Sequence, residues 1–356
     1  MEEIKGREKQ IVSERIKKIE ALRKEGVNPY PYSYDKKHSF SDIHNKYGKL
    51  KNEEKSKDKV TSAGRIIIKR DMGKIAFVTV IDDLGKIQIL LQDGETPKKV
   101  MEFFGMIDSG DFIGFSGKPI RTKRGELSVL VESLELLSKS IKPLPDKWGG
   151  IKDKEERYRK RYLDLIMNPQ VKDVFLKREK IIESIRETMK KRGFNEVDTP
   201  YLQSVYGGAE ARPFKTHLNA LNIEMFLAIS PELHLKRLIV GGFEKVFTIA
   251  RNFRNEGIDK SHNPEFTMME VYQAYADYNN MMKLTEEIYE NACIAANGST
   301  KVKIGEVELD FKAPWKKMTV AEAIKKYAKI DVLKLEEKEL EKIIKKEEIE
   351  VKGKTW

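Results

Sequence analysis

Arg251-Asn252-Phe253-Arg254-Asn255-Glu256-Gly257 closes one strand-like run of this chain, and Ser261-His262-Asn263-Pro264-Glu265-Phe266 opens the next. The two read as a hairpin with a polar, arginine-bearing loop. Guanidinium forks near a strand end suit phosphate or carboxylate, a planar recognition for which lysine is a poor substitute. Phe266 offers a ring face on which a base can stack. Surface arginines around a core phenylalanine would use the same letters, so on this stretch alone both readings stand.

Such residues need elements to hold them. Residues 172–192 have helical periodicity and end at Gly193, and residues 194–200 read as a short strand closed by Pro200. Strands follow at residues 225–229 and 245–252, with a helix over 231–240 between them, capped by Ser230 and started by Pro231. A strand over 265–276 and a helix over 279–297 come next, and residues 320–352, rich in Lys, Glu, Ile and Leu, read as helical.

The N-terminal part is built differently. Ile11, Ile16, Ile19 and Leu22 recur near helical spacing among charges, predicting an amphipathic helix that ends at Gly26. Pro29 and Pro31 force an extended connector, and the polar residues 41–59 suit a solvated helix or loop better than a core element. From Val60 the pattern turns to β-branched and aromatic runs: strands at 61–69, 75–81, 86–92, 112–120 and 127–137, with a helix at 97–104. Five strands with a helix after the third is the layout of an OB barrel, a fold that often binds oligonucleotides. The Pro/Gly-rich stretch 142–150 separates this barrel from the longer, helix-containing region on its C-terminal side.

The 356 residues carry 68 Lys and Arg against 57 Asp and Glu, a net charge of +11 that favours a polyanionic partner or a heavily solvated surface. Cys293 is the one cysteine, which excludes an intrachain disulfide and a cysteine-based zinc site and fits a reducing compartment. With no apolar leader and no run of 18 apolar residues, the expectation is a soluble, cytoplasmic protein that does not enter a membrane.

Longer motifs then come into view. Arg254-Asn255-Glu256 through His262-Asn263-Pro264-Glu265-Phe266-Thr267-Met268-Met269-Glu270 resembles motif 2 of class II aminoacyl-tRNA synthetases, and Gly193-Phe194-Asn195-Glu196-Val197-Asp198-Thr199-Pro200 resembles their motif 1. The likeness is specifically to the lysyl-tRNA synthetase family, through Pro143-Leu144-Pro145-Asp146-Lys147, Arg161-Tyr162-Leu163-Asp164-Leu165, Gly207-Gly208-Ala209, Ala211-Arg212-Pro213-Phe214 and Pro231-Glu232-Leu233. It runs from about Asn28 to about Asn297. An α+β chain is implied: a helical extension over 1–59, an OB-fold anticodon-binding domain over 60–145, and a partial antiparallel-sheet catalytic domain over 146–356.

The resemblance implies a role for each matching position. Arg254 would hold the α-phosphate of ATP and the carbonyl of the amino acid; Glu256 and His262 would help hold the nucleotide, and Phe266 would stack on adenine. For lysine, Glu232 and Glu270 would face the ammonium, Tyr272 would add a hydroxyl and a ring wall, and Gly208 would let the backbone approach the substrate. A buried cation needs carboxylate partners, whereas a pocket for aspartate would need cations there. Glu210 stands where a small or neutral residue is expected, and its direction is open. In the barrel, Phe77 would stack on an anticodon base, with Arg70, Gln88 and Glu126 contacting bases or phosphates; a strand phenylalanine taken alone reads as core.

ATP, Mg²⁺, L-lysine and tRNA(Lys) are the implied substrates, cofactor and partner, with a homodimer formed around Pro200. The family continues past Trp356, so motif 3 and the magnesium-binding carboxylates are expected beyond it, with no metal ligands within the chain. A partial sequence of an ordinary synthetase is the favoured reading. A non-catalytic tRNA-binding paralogue and an aspartyl- or asparaginyl-type enzyme are the alternatives.

Overall fold

Residues of alternating character from Val60 onward build the first half of the molecule. The computed structural model describes residues 6–145, 151 and 153–347. The chain divides into two compact units, Met1–Pro169 and Gln170–Trp356. Residues 146–150 of the expected interdomain stretch lie outside the described residues.

The first unit contains α1 (Arg7–Lys24), α2 (Phe40–Tyr47), β1 (Val60–Asp71), β2 (Ile75–Ile81), β3 (Lys86–Gln92), α3 (Lys98–Phe104), β4 (Phe112–Arg121), β5 (Leu127–Ser138), α4 (Lys154–Arg159) and α5 (Arg161–Met167). The five strands close into a barrel in the order β1-β2-β3-β5-β4, with β3 and β5 parallel. Period-two alternation sends Ala76, Val78 and Val80 inward to meet Ile87, Ile89, Leu91 and Val129. Phe77, between two fully buried residues, is turned to the outer face and is only partly buried.

The polar segment 41–59 departs from its expected character. Phe40, Ile43 and Tyr47, spaced three and four apart on α2, enter the barrel's own core with Leu22 of α1, so the residues before Val60 complete the barrel. The helix is fixed at its start by a capping box between Ser39 and Asp42. Asp82, at the β2–β3 turn, accepts from the Phe40 and Leu84 backbone N–H groups and from Lys36 Nζ, at 2.9, 2.9 and 2.7 Å.

α1 is pinned by charge. Arg15 donates to the carbonyls of Ser109, Ser140 and Lys142, and Lys18 pairs with Asp108 at 2.8 Å. Asp108 and Asp111 both receive the ammonium of Lys139, whose side chain is 0% exposed and which also donates to the Met106 carbonyl. A buried ammonium is tolerated because each proton finds an acceptor.

The second unit contains α6 (Val171–Lys191), β6 (Asn195–Glu196), β7 (Leu202–Gln203), β8 (Lys215–Leu218), β9 (Ile223–Leu227), α7 (Glu232–Val240), β10 (Lys245–Phe253), β11 (Glu265–Gln273), α8 (Tyr278–Asn297), β12 (Lys301–Ile304), β13 (Val307–Asp310), α9 (Val320–Tyr327) and α10 (Glu337–Lys346). The sheets are β11-β10-β6, β7-β9-β8 and the hairpin β12-β13. The strand expected over 194–200 shrinks to two residues, paired in parallel with β10. β11 stops at Gln273 rather than at residue 276, because Tyr275 takes a φ of 57°. The helical stretch expected from residue 320 is broken by Lys329, at a φ of 62°, and by a 3-10 turn at Val332–Lys334, while residues 348–352 lie outside the described residues.

Candidate functional site

The hairpin of β10 and β11 has two faces of opposite chemistry. Phe247 pairs with Val271 and Ile249 with Met269, and these four pack against Met189, Phe194, Leu284 and Ile288 of α6, α8 and the segment between α6 and β6. The alternate residues face the other way, where α7 lies against both strands: Asn252 opposite Phe266, Thr248 opposite Glu270, Val246 opposite Tyr272. The apolar face anchors the hairpin, and the period of two then places Phe266, Glu270 and Tyr272 in one row.

Glu270 lies at the centre of a polar cage. Ser230 Oγ donates to its Oε1 at 2.7 Å and the Tyr272 hydroxyl donates to Oε2 at 3.2 Å. Burial, then the neighbouring charges of Glu270 and Glu232, push the Tyr272 phenol well above its ordinary value, so it stays a donor at neutral pH. Glu232 opens α7, with Pro231 in the cap position rather than the first helical one; the Ser230 hydroxyl still accepts from the Glu232 N–H at 3.1 Å. Gly208 closes the cage at a φ of +86°, and a Cβ there would lie 2.7 Å from Glu232 Cβ and 2.9 Å from Ser230 Oγ. Only glycine fits.

Ser230 is legible in the sequence as a helix cap and not as a ligand to Glu270. Its contact spans 40 residues and depends on where the loop before α7 passes.

Arg254 follows β10, tied by its N–H to the Pro264 carbonyl at 2.9 Å. Its guanidinium lies 5.1 Å from the centroid of the Phe266 ring and reaches the Ile229 carbonyl at 3.5 Å. Its Nε is buried without a protein acceptor, as is Oδ1 of the fully buried Asn252 without a donor on the same face. Buried polar atoms without a protein partner are uncommon, and these two leave bonding capacity unused on this face. Arg251 is engaged elsewhere, with Glu265 across the hairpin at 2.6 Å.

Glu256 and His262 sit farther out. Glu256 accepts from the Arg212 N–H at 3.2 Å while the Asn255 N–H donates to the Arg212 carbonyl, clasping the 211–214 segment to this loop. His262 is exposed and bonds Asp259 at 2.7 Å within the loop. Pro200 offers its carbonyl to Gln203, and Glu210 is exposed. Among the described residues no group of three or more His, Cys, Asp or Glu could hold a metal ion.

In the barrel, Arg70, Phe77, Gln88 and Glu126 line one groove of about 800 Å³, together with Gln92, Arg121, Lys123 and Arg124. Arg70 stands opposite Phe77 in the β1–β2 ladder, and Gln88 is oriented by a 2.9 Å bond with Ser128 on β5. A ring, an amide and several cations on a concave strand surface suit single-stranded nucleic acid. An apolar cavity of about 780 Å³ between α8 and residues 315–322 shares no residue with either site.

A five-stranded OB barrel is followed in the chain by an antiparallel hairpin with an arginine, an aromatic ring and a carboxylate on one face and a second carboxylate, Glu232, on the helix beside it. Residues 60–137 match the OB-fold nucleic acid binding domain, and residues 153–353, more than half of the chain, match the tRNA synthetases class II (D, K and N). The chain belongs to the class II tRNA synthetase family. It is similar to the lysine–tRNA ligase of Clostridium novyi, 46% identical over 344 residues, which are 96% of this chain and 66% of that protein. The lysine–tRNA ligase of Methanoculleus marisnigri is 46% identical over 318 residues, 89% of this chain and 62% of its own. That of Thermosipho africanus is 45% identical over 345 residues, 96% and 69%. The chain spans slightly less than two thirds of the first two relatives.

Proposed function

We propose that this chain carries the lysine-activating and anticodon-binding parts of a lysine–tRNA ligase, which joins L-lysine to tRNA(Lys) at the expense of ATP. The observation that supports it best is the placement of Arg254 and Phe266 on the same hairpin face as the Glu232, Glu270 and Tyr272 cage. Two carboxylates suit an ammonium ligand and disfavour the carboxylate side chain of aspartate.

The lysine carboxylate, already ionised at neutral pH, attacks the α-phosphorus of ATP in line. The bond to the β-phosphate oxygen breaks and pyrophosphate leaves, so no general base is required. Arg254, with its unpaired Nε, stabilises the charge that builds on the α-phosphate and the amino-acid carbonyl. Phe266 stacks on adenine, and Glu256 and His262 hold the nucleotide from the loop. A terminal ribose hydroxyl of tRNA then attacks the carbonyl carbon of the adenylate, and AMP leaves.

Arg70, Phe77, Gln88 and Glu126 hold the anticodon in the barrel groove. In this reading residues 60–145 are the anticodon domain, preceded by the N-terminal extension over 1–59, and 146–356 are the catalytic part. Exposed apolar residues on α6 (Val174, Phe175, Leu176) and beside Pro200 (Tyr201, Leu202) support a homodimer through this region. A cytoplasmic location fits a chain in which no described helix is long and apolar enough to cross a membrane.

The test is amino-acid-dependent exchange of pyrophosphate into ATP across a panel of amino acids, on this chain and on one extended to its relatives' length. Lysine is expected to drive exchange in the extended chain, and Arg254→Ala to lower it at least 100-fold, about 2.7 kcal/mol or more. Exchange driven best by aspartate overturns the substrate; none from the extended chain overturns the activity.

A further inference from the structure

Glu270 and Glu232 are held in the cage by different means. Glu270 is fixed by neutral donors, Ser230 and Tyr272, on its two oxygens. Glu232 is held by a cation from its own helix: Lys236 Nζ lies 2.6 Å from Glu232 Oε1 and 6.0 Å from the centroid of the Tyr272 ring. An alkylammonium resting on a carboxylate beside an aromatic wall is the same set of contacts that an ammonium of bound lysine requires.

The pairing is reversible by construction. Glu–Lys pairs four residues apart on a helix are weak, and the side chain of Lys236 is 57% exposed against 28% for Glu232. The cation therefore approaches from solvent and can withdraw by turning its own stem.

Building on the lysine reading above, we propose that Lys236 is an internal stand-in for the substrate's ammonium, neutralising Glu232 until an amine enters and displaces it. This makes Lys236 a positioning and specificity residue. Paired with Glu232, it limits repulsion between the two carboxylates. On entry, a ligand that displaces it must bring a positive charge of its own, because otherwise Glu232 is left without a counter-ion in a partly buried site.

The experiment is isothermal titration calorimetry on the chain and two variants, with L-lysine, 1,5-diaminopentane and hexanoate as separate probes. Lys236→Met keeps the stem and removes the competing charge, and Lys236→Arg keeps the charge. Lys236→Met is expected to bind L-lysine and 1,5-diaminopentane about two- to fivefold more tightly, the scale of a weak surface pair, and to leave hexanoate unchanged. Lys236→Arg is expected to stay within about twofold of the unsubstituted chain. L-lysine binding that is unchanged or weaker in Lys236→Met overturns the proposal, as does an equal gain for hexanoate or an equal gain in Lys236→Arg. If the unsubstituted chain binds hexanoate but neither amine, the lysine reading falls and this one with it.

Discussion

Phe77 shows how one residue's meaning depends on its register. By type it belongs in a core, but its neighbours Ala76 and Val78 are the ones turned inward, which leaves its ring on the groove beside Arg70 and Gln88. Replacing Phe77 by Ala is expected to weaken binding of an anticodon stem-loop by about 1–3 kcal/mol, the worth of one stacked base, measured by fluorescence anisotropy. Phe77→Tyr is expected to retain most of that affinity. In the other unit, Glu270 and Tyr272 are legible only through the motif that the chain resembles, and their spacing of two puts both on one face of the strand. Ser230 is not, since no local pattern shows that its hydroxyl meets a carboxylate 40 positions away. The motif assigns Glu256 and His262 to the nucleotide, yet their contacts in the fold run to Arg212 and Asp259. Loop residues of this kind take their partners from the ligand as much as from the protein.

The elements are legible in proportion to their periodicity. The barrel strands and the helices α6 and α8 have long apolar patterns and lie within a few residues of where the sequence places them. β7, β8 and α4 escape a sequence reading, because two to six residues do not establish a period. α2 misleads for a different reason. Its overall composition is polar, while Phe40, Ile43 and Tyr47 form a single apolar stripe that only spacing discloses. Ile43→Ala is expected to cost the barrel about 2–5 kcal/mol, the usual range for emptying a buried branched side chain, measured by urea unfolding followed by circular dichroism. A solvated α2 would show almost no change.

Across the whole molecule, acidity acts on the first unit through its partly buried carboxylates. Burial alone would raise the pKa of Asp82 and of Asp108, but bonds from Lys36 and the Phe40 and Leu84 N–H groups to Asp82, and from Lys139 and Lys18 to Asp108, hold both below the ordinary 3.8. A carboxylate lowered on folding contributes its stability above the unfolded value and loses it as pH falls through the folded one. The unit's calorimetric unfolding temperature is therefore expected to drop below about pH 4, with a shallower drop in Asp82→Asn. Lys139 extends this to time. An ammonium with no exposed surface and three acceptors cannot meet an amine-directed reagent while the barrel is closed. Its covalent labelling, read by mass spectrometry, should lag behind that of exposed lysines and run at the barrel's opening rate. One side chain would thus serve as a clock for excursions of the unit away from its native state.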